Sequence, residues 1–192
     1  MIVEEIIKTI NEVYAPLSSE CQVELMSHVK LLEVKKNTVL VKEGQYSDKL
    51  FFIVKGCARA YYLNNGKDVT EWFAFENDFI CAIQSFFQLI PSPHYIEVLD
   101  DTLLMEMSRE SINSLSNNYH EFERLAKIIV TKTMLQLQER IIDMQFKSAK
   151  QKYEKINALR PDITQRVPLT HIASYLGITL ETLSRIRKPN LI

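Results

Sequence analysis

The chain carries no cysteine framework. Its three cysteines, Cys21, Cys57 and Cys81, lie far apart, with no C-x-x-C and no Cys/His spacing suited to a metal. Disulfide scaffolds and zinc ribbons are thereby excluded, and reduced thiols in a cytoplasmic protein are expected. No run approaches the ~20 apolar residues of a membrane span. The first eight residues carry early acids, Glu4 and Glu5, and lack the long apolar core of a signal peptide. No H-x-H or comparable His/Glu cluster occurs between residues 32 and 108, where a β-fold metal enzyme would need one. Internal repeats and low-complexity segments are also missing. The expectation is a protein without metal, cofactor or membrane partner, and not an enzyme.

What is present is a globular composition with an uneven charge. A chain of 192 residues fits one large or two small domains, at roughly 100–200 residues each. The net charge of −1 hides an asymmetry: residues 1–123 hold 10 Lys+Arg against 19 Asp+Glu, and residues 124–192 hold 13 against 5. An acidic front and a basic back point to a polyanion met by the C-terminal part alone.

That part contains the most informative stretch, residues 169–188. Leu169, Ile172, Ala173 and Leu176 recur at helical spacing. Gly177 stands where the helix must stop, and glycine tolerates the left-handed backbone such a stop needs. Thr179 suits the cap of a second helix. In that helix Leu183 and Ile186 face inward, leaving Glu181, Ser184, Arg185 and Lys188 outward, and Pro189 closes the segment. Two short helices around a tight turn form a helix-turn-helix, whose second helix enters the major groove of DNA. Arg185 suits a guanine edge and Glu181 a cytosine amine. An ordinary helical hairpin with a charged outer face is the plainer alternative.

Upstream, residues 2–14 read as a helix with Ile6, Ile10 and Val13 on one side. A second helix follows a cap at Ser18 or Ser19, with Val23, Leu25, Met26 and Val29 apolar. From Leu32 to Ser108 the period changes. Short β-branched and aromatic runs at 38–41, 50–54, 58–63, 69–75, 79–80, 95–99 and 103–107 alternate with turn signals, indicating a sandwich, jelly roll or barrel. Asn65-Gly66 fits a two-residue hairpin turn. A helical region starts at Ser108 or Ser111. Residues 119–146 contain no Gly or Pro and read as one long helix. Val130, Met134, Leu137, Ile141 and Met144 give it a coiled-coil seam suited to a second subunit. Leu125, Ile128, Leu135 and Ile142 form another stripe. A basic helix at 148–159 and a short turn at 163–167 lead into the helix-turn-helix.

This order resembles the Crp/Fnr family of bacterial transcription regulators. The glycine-punctuated stretch 41–56, the run 76–80 and the recognition segment 176–186 carry the resemblance. It implies an α+β fold: an N-terminal antiparallel β-roll of jelly-roll type with flanking helices (1–118), a long dimerisation helix (119–146) and a C-terminal winged helix-turn-helix domain (147–192). It implies a cytoplasmic homodimer acting on operator DNA, with RNA polymerase as a further partner. Of the family's base-reading positions, Glu181 and Arg185 match. Leu180 replaces an arginine, so a different half-site is expected, with Leu180 against a thymine methyl. Thr179 and Ser184 complete the candidate DNA surface, with Thr170, His171, Arg187 and Lys188 as phosphate contacts.

The sensor half departs from the family. The Gly-Glu and Arg-Ser pairs of a cyclic-nucleotide cassette fall on Cys81-Ala82 and Ser92-Pro93. The cation for the phosphate is missing, and burying that anion unpaired is costly. No binding of cyclic AMP or cyclic GMP is therefore expected. The cassette is apolar instead: Trp72, Phe79, Cys81, Ala82, Ile83, Phe86 and Tyr95 form either plain core or a pocket for an apolar effector. Cys21 stands alone where iron–sulfur members cluster their cysteines, and the four histidines are scattered. A cupin-like metal enzyme, or a ligand-sensing module without DNA binding, is the competing assignment.

Overall fold

The computed structural model describes residues 2–187. Helix α1 (Ile2–Val13) turns Ile6, Ile7 and Ile10 inward. Helix α2 (Ser19–His28) starts at Ser18, whose hydroxyl accepts the Cys21 N–H, one of the donors a helix start leaves free. It then passes directly into β1 (Val29–Val34). Apolar spacing assigns Val29 to the helix. In the structure it takes extended backbone and pairs with Met107, so a strand begins where no glycine marks a stop.

Strands β2 (Val39–Val41), β3 (Lys49–Lys55), β4 (Ala58–Asn64), β5 (Lys67–Ala74), β6 (Phe79–Cys81), β7 (Tyr95–Val98) and β8 (Thr102–Ser108) complete two antiparallel sheets. Their orders are β1-β8-β3-β6 and β2-β7-β4-β5. Alternate residues of both sheets, among them Phe51, Ile53, Ala58, Ala60, Ile96, Val98 and Leu104, meet in a shared core. This is the expected β-roll. Asn65 and Gly66, both at positive φ, close the β4–β5 hairpin between the paired Asn64 and Lys67. A short helix α3 (Ile83–Gln88), unforeseen in sequence, follows β6.

Helix α4 (Arg109–Asn118) is capped by Ser108, and α5 (His120–Phe146) runs on from it. At 27 residues, α5 is about 40 Å long. Its first turns bury Phe122 and Leu125 in a core shared with α1, α2 and the outer face of the first sheet. Beyond Leu125 no residue of α5 is buried. Helix α6 (Ala149–Leu159) opens with a capping box between Ser148 and Gln151. Then come α7 (Ile163–Arg166), α8 (Leu169–Leu176) and α9 (Leu180–Arg187). A third core joins Ile163, Val167, Ile172, Leu176 and Leu183 to Cys57, Phe73, Phe75 and Leu99 of the roll. The terminal helices thus share their core with the roll. Among the described residues no strand follows β8.

Candidate nucleic-acid interface and sensor cavity

The α8–α9 pair has the local chemistry expected of a helix-turn-helix. Gly177 takes φ +64 and its N–H returns to α8 carbonyls. A Cβ there would lie 2.5 Å from the Met144 methyl group, the flexible end of a side chain that can shift, so it is the backbone sign that calls for glycine. Thr179 caps α9, its hydroxyl accepting the Thr182 N–H at 3.2 Å. Leu183 is fully buried and Ile186 packs beside it. Leu180, Glu181, Ser184, Arg185 and Arg187 are exposed, as is Thr170 on α8. Lys188 lies outside the described residues. The Glu181 carboxyl is lowered by its own backbone N–H and the Thr179 hydroxyl, which keeps it an ionised acceptor.

His171 corrects one expectation. It faces the roll rather than open surface, with Nδ1 2.9 Å from Arg59 Nη1. Burial, then the charge of Arg59, lowers its pKa, so the neutral ring accepts from the guanidinium. Arg59, 3% exposed, also donates to Glu97 at 2.6 Å, Asp68 at 2.8 Å and Thr70 Oγ1 at 3.0 Å. Nearby, Ser174 Oγ accepts the Thr70 N–H at 2.9 Å and donates to Asp68 O. Arg140 of α5 donates to Tyr175 O and Thr70 O, stacking over the Tyr175 ring. A second clasp holds Arg166 against Glu76, Asp100 and Asp162 at 2.7–3.2 Å. Met144, expected in the dimer seam, also lies against the turn at Gly177.

Between roll, α3 and α5 lies a cavity of about 520 Å³. Of the residues considered for a pocket or plain core, Trp72, Phe79, Cys81, Ile83 and Phe86 line it. Ala82 and Tyr95 do not. Ala82 is sealed in the core between the sheets. Tyr95 stacks on Tyr61 at 5.1 Å, on the opposite side of the sheet from its inward neighbour Ile96. Glu71 and His94 line the cavity and were missed. Strand alternation would send Glu71 away from Trp72. A bulge, where Ala60 pairs with Trp72 but Tyr61 with Thr70, leaves Glu71 unpaired between them. Among the described residues no Lys or Arg lines the cavity. Ser92 spends its hydroxyl on His94 O at 2.7 Å. Burial pushes the Cys81 thiol up to about 12, which leaves it protonated and a poor nucleophile at neutral pH. Among the described residues no group of three or more His, Cys, Asp or Glu is placed to hold a metal ion, and no helix is long and apolar enough to cross a membrane.

A β-roll followed by a long helix and a helical pair defines the class: residues 31–119 match the family model of the cyclic nucleotide-binding domain. The described residues have a fold of the Crp/Fnr type. FixK2 from Bradyrhizobium japonicum is similar at 18% identity, covering 82% of each chain with a TM-score of 0.69. A structure from Eubacterium rectale, assigned as a transcriptional regulator of the crp/fnr family, is similar at 18% identity over 88% of this chain and 82% of that one, with a TM-score of 0.67. CLP from Xanthomonas campestris, a c-di-GMP responsive global regulator, is similar at 14% identity over 88% and 89%, with a TM-score of 0.66. These similar structures are of regulators rather than enzymes. No curated protein sequence matches.

Proposed function

We propose that the chain is a cytoplasmic, dimeric, sequence-specific DNA-binding regulator of the Crp/Fnr type. The observation that carries this reading is α9, which buries Leu183 and partly covers Ile186 while presenting Glu181, Ser184 and Arg185 to solvent. Those three side chains lie along one face, with Leu180 at its start, as a helix in a major groove requires. The basic C-terminal part supplies the attraction to phosphates, and RNA polymerase is the further partner on the promoter. Repeated selection from random duplexes tests the assignment. The expected result is a two-fold related pair of half-sites, and enrichment of no sequence would sink it.

The second subunit is supported by α5. Val130, Met134 and Ile141 are each at least half exposed, an apolar row that a solitary helix does not leave in water. Pairing two copies of the seam would set the two α9 helices on one side of the dimer. Leu137→Glu places a charge in the seam. Light scattering is expected to show monomers, with affinity for the full site down about tenfold or more as the second half-site is lost. The missing cation in the cavity supports the reading that cyclic AMP and cyclic GMP are not effectors. Calorimetric binding of either in the micromolar range would overturn it.

A further inference from the structure

We propose that the cavity between roll, α3 and α5 binds a neutral, mainly apolar small molecule whose one hydrogen-bonding group meets the imidazole of His94. The proposal deepens the regulator reading and rests on its dimer, because Val130 and Met134, at the edge of the cavity, belong to the seam that the second subunit covers.

The volume of about 520 Å³ suits a small-molecule site, for which roughly 300–1,000 Å³ is usual. Volume alone does not distinguish a site from loose packing; His94 does. The ring is 3% exposed, lines the cavity, and has no hydrogen-bond partner at either nitrogen. Buried polar atoms are nearly always paired, so an unpaired ring facing a cavity marks a place for a partner. Its neighbours do not serve. The Tyr62 ring stands edge-on at 5.3 Å, and the Glu71 carboxylate is 3.7 Å away, beyond hydrogen-bond reach.

The ligand class follows from the rest of the wall. Burial lowers the His94 pKa, so the ring is neutral and offers one N–H and one lone pair. A phosphate or carboxylate would find no Lys or Arg there and would meet Glu71 instead. Trp72, Phe79 and Phe86 supply flat apolar surface for a ring system. A molecule with one hydroxyl or N–H gives one His94 nitrogen its partner and covers the apolar wall with the rest of its surface.

Trp72 is the only tryptophan of the chain, so its emission reports on this cavity. The test titrates full-length protein with N-phenyl-1-naphthylamine, a neutral aromatic probe with a single N–H, and with 1-phenylnaphthalene, which has none. Saturable binding with transfer from Trp72 is expected for both. His94→Phe should weaken the amine about fivefold or more while changing the hydrocarbon by less than about twofold. His94→Gln, which keeps an acceptor, should recover part of the loss and covers the case in which the phenylalanine variant does not fold. Ala126→Phe, on the α5 wall, should abolish both. Equal losses for the two probes, binding without a Trp72 signal, or an amine affinity unaffected by His94→Phe would each overturn the proposal. A Soret band on adding hemin that disappears in His94→Phe would replace it with a porphyrin site. Light scattering of the same samples separates the two readings: a monomer that binds the amine through His94 sinks the dimer alone, whereas a dimer that binds neither probe sinks the site.

Discussion

Helices α8 and α9 each have eight described residues, are joined by one tight turn, and share one core. Their outer faces have opposite fates. α8 lies on β5, with His171, Ser174 and Tyr175 held by Arg59, Thr70 and Arg140. α9 packs on α6 and α8 and keeps a free polar row. Under the proposed function, the anchored helix is the mechanical one and the free helix the reader. The contacts that fix the reader's orientation to the sensor run through α8, through Arg166, through Ile163 and Val167 in the shared core, and through Arg160, which pairs with Asp78 at 3.5 Å. Any rearrangement of the reader must therefore break those contacts first.

The largest effect is expected at Arg166. It bridges two loops of the roll, through Glu76 and Asp100, to Asp162 just before α7. Arg166→Ala would leave three carboxylates facing one another and cost about 2–4 kcal/mol, read from urea midpoints at pH 7. The pH dependence carries its own signature. Burial raises the Glu76 pKa, but the hydrogen bonds from Arg166 and the backbone outweigh it and hold the group at about 2. Because the folded value lies below the unfolded one, about 4.3, the stabilisation is full above that pH and is lost as pH falls toward about 2. In Arg166→Ala that acid-side decline should flatten. An unchanged slope would mean that Glu76 does not depend on Arg166.

The free helix was far more legible in the sequence than the anchored one. Gly177, Thr179 and the inward pair Leu183 and Ile186 announce themselves locally, through backbone sign, capping and spacing. The roll was equally readable, because turn residues such as Asn65-Gly66 and β-branched runs encode strands over a few positions. What sequence could not carry was contact across distance. Arg59 and His171 lie 112 positions apart, and nothing near His171 says that a guanidinium waits for it. β1 was hidden because α2 gives way to it without a breaker. The bulge that turns Glu71 toward Trp72 was hidden because alternation assumes its absence. His94 looked like one of four scattered histidines until the fold enclosed it.

Arg185→Ala and Ser174→Ala sharpen the contrast between reader and anchor. Arg185 is exposed and contributes to no core. Its loss should leave the melting temperature unchanged while costing about 1–3 kcal/mol of discrimination between the selected site and a scrambled one. Ser174 shows the reverse. Its removal strands the Thr70 N–H against α8, where Thr70 is fully buried, and should cost about 1–2 kcal/mol of stability. Base preference should not change, because no atom of Ser174 belongs to the reading face. Altered base preference in Ser174→Ala would show that the anchor shapes the reading surface directly.

The smallest effect tests whether α9 is independently formed. Thr179 accepts the Thr182 N–H, one of the four donors that the start of α9 leaves unpaired within the helix. Thr179→Ala should cost about 1 kcal/mol and Thr179→Gly only a few tenths, the usual order for a capping hydroxyl. Both should be felt locally, as faster amide exchange at residues 180–183, with the Arg59 and Arg166 clasps unaffected. If exchange rose equally across α8, then α8 and α9 would open as one unit, and the division into anchor and reader would hold for their surfaces but not for their stability.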